Sequence, residues 1–388
     1  MAPQPCYETE IVRYYIDTRP LVPSQPKQPY KLPLISSLQS SDQEAITRFI
    51  RPADKFMSLA SALLKYTFVH RYAKIPWNEV LISRTPHPHR RPYWHPPAHW
   101  VADGGLEFNV SHQAGLVAIV GCQTPNVQAS TGCIVEHVQD ISLAKSAASG
   151  PDDGHQHIRL GVDVACTNED HRTPTDLVNQ AKFDEWVEVF AEMFSERERT
   201  DMKRLPVRMP VGEMTEFDDM NDTLFQDQDT SQEEAEMIHF KLRRFYTYWA
   251  LKEAYIKMVG EGLLASWLRD LEFVDVVAPL PPDARRTGRI RGVDSASEGD
   301  KIEEAKWTAP AEAERGMSTL FKGKKVENVR VEVVAYDEDF LVATAARGVV
   351  EPPGDEDRSS NRARRWIKLD IVKDIQPCAE GTCRCIDR

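Results

Sequence analysis

Trp249, Glu253 and Lys257 lie four residues apart within Trp249-Ala-Leu-Lys-Glu-Ala-Tyr-Ile-Lys257. On a helix that spacing stacks all three on one face. Far upstream, Asp163 sits in a short β-type run from Leu160 to Val164. A carboxylate on a strand and a carboxylate beside lysines on a helix can share a divalent cation. Such a cation, with lysines nearby, suits a diphosphate-bearing ligand. From the residues alone, plainer readings stay open. Glu253 and Lys257 also suit an exposed helical ion pair, worth about 0.2–0.5 kcal/mol. Asp163 also suits a turn or cap, and Lys252 and Lys257 also suit simple solvation.

The surrounding pattern predicts elements able to position these groups. Ile11 to Ile16 reads as a strand, followed by a Pro-rich connection through Pro20, Pro23, Pro26, Pro29 and Pro33. Ser41-Asp42 suits a cap for a helix toward Phe49. Lys55 to Ala73 has a helical apolar face of Met57, Leu59, Ala60, Leu63, Leu64 and Phe68. Val80 to Ser83 reads as a strand, and the Pro-, His- and Arg-rich stretch 84–99 as irregular. Leu106 to Val110 and Leu116 to Val120 read as a strand pair around a turn at Ser111 to Gly115. Leu160 to Ala165 is a further strand, Phe183 to Phe194 an amphipathic helix, and Ala235 to Val259 a long helix ended by Gly260. Leu271 to Val277 is strand-like. Val329 to Val334 and Phe340 to Ala345 form a hairpin. Stretches 123–157, 205–236 and 278–311 read as polar or acidic excursions. Two similar element sets result, each with a long helix and a few antiparallel strands.

Bulk composition narrows the function classes. A net charge of −12 argues against general nucleic-acid affinity. No apolar run approaches a membrane span, and no secretory signal is visible. Seven cysteines, an odd and scattered set, argue against a disulfide framework and for a reducing, cytoplasmic setting. Charge is uneven. Between Gln43 and Trp100 nine Lys/Arg face three Asp/Glu, which suits an anionic ligand or partner. Between Val211 and Glu236 there are ten acidic residues and no Lys or Arg, as in a solvated insertion. His87, His89, His95 and His99 lack a recognisable metal-ligand spacing. Cys378, Cys383 and Cys385 are too few for a closed zinc site by themselves, and a flexible tail is expected there.

Three motifs occur in order: Phe108-Asn-Val-Ser-His112, Gly161-Val-Asp163, and Trp249-Ala-Leu-Lys-Glu253 followed by Lys257. A fourth stretch, Ile75-Pro-Trp-Asn-Glu-Val80 with Arg84-Thr85 behind it, joins them, as do Gly262-Leu263 and Leu271-Glu-Phe273. With these motifs the chain resembles the 4'-phosphopantetheinyl transferases of the surfactin-synthase-activating type, fungal and animal branch. The match covers about 51–121 and 160–273, plus the late hairpin. The resemblance implies an α+β fold of two similar α/β halves with antiparallel strands. These would be related by a pseudo-twofold axis with a ligand cleft between them. The halves would be 1–158, on the coenzyme A adenine and 3'-phosphate side, and 159–388, with the metal, the catalytic helix, the insertions and the charged tail.

The implied reaction moves the 4'-phosphopantetheine arm of coenzyme A to a serine of a carrier-protein domain and releases 3',5'-ADP. Asp163 and Glu253 would hold Mg²⁺, with Mn²⁺ a possible substitute, and Glu253 would be the base. Bacterial relatives place a second carboxylate two residues after the motif Asp, where this chain has Ala165. Animal-type enzymes have Gln directly after Ser-His, and here that residue is Gln113, the implied third ligand. Lys257 and Lys252 would neutralise diphosphate oxygens. Ser111 and His112 would contact coenzyme A, with Arg51, Lys55, Ser58, Arg84 and Arg91 as further phosphate partners. The implied partners are carrier domains of polyketide synthases, peptide synthetases, fatty acid synthase or aminoadipate reductase. They would dock on the basic first region or on Leu263, Leu264 and Trp267 of a monomeric enzyme. A catalytically silent module binding coenzyme A or carrier domains is the alternative. Loss of Asp163 or Glu253 would have favoured it.

Overall fold

The computed structural model describes residues 7–25, 29–86, 90–100, 104–125, 158–168, 177, 179–204, 229–262, 265–282, 306–308, 316–350 and 365–387. The architecture is mixed α/β with mainly antiparallel sheets. In the first sheet β1 (Val12–Asp17) pairs with β5 (Leu116–Pro125), which pairs with β4 (Gly104–Gln113). Between β1 and β4 in the chain lie α1 (Ser40–Thr47), α2 (Pro52–Ala73), and a ribbon of β2 (Ile82–Arg84) and β3 (Pro92–Trp94). The ribbon corrects the expectation of an irregular stretch. Trp94 is buried there and packs edge-on against Trp100.

In the second sheet β6 (Arg159–Cys166) pairs with β12 (Phe340–Arg347), then β11 (Val329–Tyr336), then β8 (Trp307–Thr308). The edge strand β8 falls in a stretch read from sequence as excursion. A smaller sheet joins β7 (Leu271–Val274), β9 (Ser318–Phe321) and β10 (Lys324–Lys325). Helices α3 (Gln180–Glu188) and α4 (Glu196–Lys203) precede α5 (Asp229–Val259). The excursions over 126–157 and 283–305, and most of the acidic stretch, lie outside the described residues.

Strand alternation divides the apolar residues among three cores. Val12, Tyr14, Ile16, Val117 and Ile119 face α2, together with its Leu59, Leu63, Leu64 and Phe68. Ala165, Ala343 and Ala345 face α5, with its Phe245, Leu251 and Met258. The remaining faces meet each other: Tyr15, Ala118 and Val120 pack with Val162, Val164 and Val342. Each strand thus feeds two cores through its period of two.

The β4–β5 turn is tighter than the sequence suggests. Register pairs Gln113 with Leu116, so only Ala114 and Gly115 turn, both with positive φ (48° and 91°). Two left-handed central residues match the right-handed twist of a hairpin. Ser111, His112 and Gln113 therefore lie in β4, not in a loop, with Ser111 and Gln113 on one face and His112 on the other.

The end of the chain returns to the first sheet. Ile367–Lys368 runs parallel to Tyr14–Tyr15, and Leu369, Ile371, Ile375 and Cys378 are buried in the α2 core. This corrects the expectation of a flexible tail: residues 365–387 are folded, pairing with the first sheet while Trp366 stacks on Trp307 of the second.

Candidate active site

Two edge strands from different sheets meet at the site. On β6, the backbone N–H groups not used by β12 need acceptors. Alternate side chains of β4 supply them. Leu160 N–H donates to Glu107 Oε1 at 3.0 Å, and Val162 N–H to Asn109 Oδ1 at 3.0 Å. Val164 N–H donates to Ser111 Oγ at 3.3 Å, and Cys166 N–H to Gln113 Oε1 at 3.1 Å. This ladder fixes the register of the two strands. It places Ser111 Oγ 3.0 Å from Asp163 Oδ1.

Helix α5 lies across the same strand because Gly161 has no Cβ. A Cβ there would sit 2.0 Å from the Ala254 carbonyl oxygen and 2.5 Å from the Met258 nitrogen. The close approach delivers Glu253 and Lys257 to Asp163. Lys257 Nζ donates to Asp163 Oδ1 at 2.6 Å and to Ser111 Oγ at 2.8 Å. Asp163 is buried, and Lys257 is half-buried. Burial, and then the charge of Asp163, push the Glu253 carboxyl up to about 7, against the opposing pull of Lys257. A buried carboxyl held back from ionising beside a second carboxylate is a good fit for a divalent cation. Among the described residues, no third His, Cys or carboxylate completes a cluster with them. Gln113 stands next on the Ser111 face. Its Oε1 accepts from Cys166 N–H at 3.1 Å.

His112 leaves the opposite face of β4. It is exposed by area but stands in a recess. Burial, then the charges of Lys257 and Lys65, hold its imidazole below the usual range, while Asp54 opposes them. The first turns of α2 adjoin this recess, since Gly115 N–H reaches Met57 Sδ at 3.2 Å. Arg51 is the exposed N-cap residue of that helix, with Lys55 and Ser58 half-buried along its first two turns. Lys65, two turns beyond Ser58, was not singled out from sequence. Burial pushes its ammonium down to about 8, Asp42 pulls it up, and Arg84 pushes it further down. The signal that could have found it is spacing, because Lys65 continues the Ser58 face at i+7. Arg84 itself is exposed on β2.

Two expected site residues are elsewhere. Lys252 is wholly buried on the far side of α5. It pairs with Glu198 at 2.9 Å and donates to the carbonyls of Leu268 and Leu271. It cannot reach the Asp163 face, so the expected diphosphate contact fails. Arg91 is committed to structure. Its guanidinium donates to the carbonyls of Lys257 and Met258 at 3.1 Å, to Leu160 O at 3.0 Å, and to Glu107 Oε1. It ties β4, β6 and the end of α5 into one knot, and its expected phosphate role is not supported. Trp249 packs edge-on against Phe190 within the second core. On the expected carrier rim, Leu263 and Leu264 lie outside the described residues, and Trp267 donates to Glu261 at 2.8 Å.

A profile described as 4'-phosphopantetheinyl transferase, N-terminal, matches residues 25–124. One described as 4'-phosphopantetheinyl transferase superfamily matches residues 159–298. The chain is 41% identical over 392 residues to 4'-phosphopantetheinyl transferase A of Aspergillus fumigatus, covering 97% of this chain and 96% of that protein. The chain belongs to the 4'-phosphopantetheinyl transferase family. It is also 38% identical over 394 residues to 4'-phosphopantetheinyl transferase NpgA of Emericella nidulans, covering 97% of this chain and 96% of the relative. A shorter match, 32% over 121 residues, links it to L-aminoadipate-semialdehyde dehydrogenase-phosphopantetheinyl transferase of Schizosaccharomyces pombe. That match covers 30% of this chain and 43% of the relative. The protein is therefore a transferase that places 4'-phosphopantetheine on carrier-protein domains, in a family that takes the arm from coenzyme A and uses a divalent metal. No helix among the described residues is long and apolar enough to cross a membrane.

Proposed function

We propose that Asp163, Glu253 and Lys257 form the reaction centre, with Mg²⁺ as the working cation and Gln113 as its third protein ligand. The observation that carries this reading is the convergence of Ser111, Asp163 and Lys257 within 3.0 Å of one another beside a Glu253 carboxyl shifted to about 7. Mg²⁺ bound there supplies positive charge to the diphosphate of coenzyme A. Glu253 accepts the proton of the carrier serine, directly or through a water, as the serine oxygen attacks the β-phosphate. Lys257 adds charge as the bond to the leaving 3',5'-ADP breaks. Ser111 holds Asp163 in place. His112, with Arg51, Lys55, Ser58, Arg84 and Lys65 around its recess, forms the basic wall for the 3'-phosphate.

Coenzyme A occupies a cleft between two pseudo-twofold-related halves, divided near residue 158, with the C-terminal residues 365–387 belonging to the first. Two four-stranded sheets, each carrying one long helix, support this arrangement. The likeness to the L-aminoadipate-semialdehyde dehydrogenase-phosphopantetheinyl transferase supports an aminoadipate-pathway carrier; carriers of polyketide, peptide and fatty acid synthesis, served by a monomer in the cytoplasm, complete the proposal. The test uses labelled coenzyme A and an apo carrier domain. Glu253→Gln and Asp163→Ala are expected to fold and to lose at least about 10²-fold in turnover. Near-full activity in either variant contradicts the assignment.

A further inference from the structure

On the α2 side of the first sheet, four metal-ligating side chains converge from opposite ends of the chain. His70 lies in the last turn of α2, while Cys378, Cys383 and Cys385 lie in the C-terminal segment. The His nitrogen and the three sulfurs all lie within 4.8 Å of one another, the one such cluster among the described residues. We propose that His70, Cys378, Cys383 and Cys385 bind a structural Zn²⁺ that staples the C-terminal segment to α2.

The geometry fits zinc better than a disulfide. Cys378 Sγ and Cys385 Sγ are 3.8 Å apart, whereas a disulfide needs about 2.05 Å. A tetrahedral ion with Zn–S bonds of about 2.3 Å separates its sulfurs by about 3.8 Å. His70 Nε2 is 3.1 Å from Cys383 Sγ, on the inner side of the cluster. The other ring nitrogen, Nδ1, is 2.7 Å from the Ile75 carbonyl oxygen. That carbonyl can only accept, so Nδ1 carries the proton and Nε2 keeps a lone pair toward the sulfurs. A metal-ligating His usually has such an outer partner.

The surroundings fit as well. Three thiolates around Zn²⁺ carry a net charge of −1. Arg71 and Lys74 stand beside the cluster, donating to Asp374 O at 2.8 Å and to Cys385 O at 2.9 Å. The backbone between the first two sulfurs is a built turn. Gly381 has φ +71°, and Thr382 and Cys383 N–H both donate to Pro377 O. His70 is 1% exposed, Cys378 is buried, and Cys383 and Cys385 are half-buried, and protein ligands fill all four positions, as in a structural site. Three cysteines looked too few in the sequence because the fourth ligand lies more than three hundred residues away.

The test measures metal in tag-free, full-length protein purified without chelator, by elemental analysis and native mass spectrometry. About one zinc per chain is expected. It should persist in the Asp163→Ala/Glu253→Ala double variant, which separates it from the catalytic cation. Cobalt substituted into the wild-type chain is expected to show a thiolate-to-cobalt charge-transfer band, a readout that needs no variant to fold. Cys383→Ser and Cys385→Ser are expected to cut the zinc content at least about fivefold. A zinc-free wild-type chain with maleimide-reactive Cys378, Cys383 and Cys385 overturns the proposal. So does a two-dalton mass loss mapping to a Cys378–Cys385 disulfide.

Discussion

At the scale of single residues, Glu253 shows how burial sets chemistry. Its folded-state carboxyl titrates near 7, against an ordinary value of 4.5, first because burial disfavours the charge and then because Asp163 is close. The sign of the linkage follows. Without metal, the stability Glu253 contributes is fully present below about pH 4.5 and is lost as pH rises through about 7. A divalent ligand needs the deprotonated form, so its binding runs the other way. We expect Mg²⁺ affinity of the wild-type chain to rise up to about tenfold per pH unit below 7 and to level off above it. Calorimetric titration across pH 5.5–8.5 reads this directly, and a flat profile would remove Glu253 from the ligand set. The Glu253–Lys257 face was legible in the sequence because four-residue spacing is a local property. The roles of Lys252 and Arg91 were not legible. Lysine and arginine read as solvent-facing charges, and nothing near Lys252 in sequence announces Glu198 or the Leu268 and Leu271 carbonyls.

At the scale of elements, the site depends on how closely α5 approaches β6. Gly161→Ala would drive a methyl group into the helix backbone at Ala254 and Met258, and backbone yields less readily than a side-chain tip. We expect a stability loss of about 1–3 kcal/mol. Turnover should fall further than stability alone explains, because α5 carries Glu253 and Lys257. Thermal melts and kcat together test this. A variant with wild-type melting temperature and turnover would contradict the packing argument.

The Glu198–Lys252 pair anchors the other side of the same helix. Glu198 also closes the α4 capping box with Ser195 and accepts Phe273 N–H at 2.9 Å. Removing Lys252 leaves a buried carboxyl without its partner. Lys252→Ala should cost about 3–5 kcal/mol in urea unfolding, while the KM for coenzyme A of the folded fraction stays unchanged. A raised KM without a stability loss would return Lys252 to the diphosphate. Most strands and both long helices were visible from periodicity. The β4–β5 turn was misread because Ala114 adopts a left-handed conformation that alanine seldom takes. That single turn decides whether Ser111 and Gln113 share a face.

At the scale of the whole molecule, the parts that escaped the sequence are those joined over long separations. The β4–β6 ladder links residues fifty-three apart by side chain to backbone. It showed in sequence only as a polar residue at every second position, Glu107, Asn109, Ser111 and Gln113. Arg13 of β1 pairs with Glu332 of β11 at 2.8 Å, joining the two sheets. The return of the C-terminal segment to α2 left no periodic trace, because its anchors are one short parallel pairing and a few buried apolar side chains. Motif order, in contrast, carried the family and its reaction, since each motif is short and local.

If Asp163 and Glu253 hold the cation, this protein should transfer the phosphopantetheine arm to carrier domains only when a divalent metal is present. The most direct test is intact-mass spectrometry of an apo carrier domain incubated with this protein, coenzyme A and Mg²⁺, beside a metal-free control. A mass gain of one phosphopantetheine arm is expected with Mg²⁺, none without it, and none with Glu253→Gln at matched concentration. An equal gain in the metal-free control, or with Glu253→Gln, would contradict the assignment of Asp163 and Glu253.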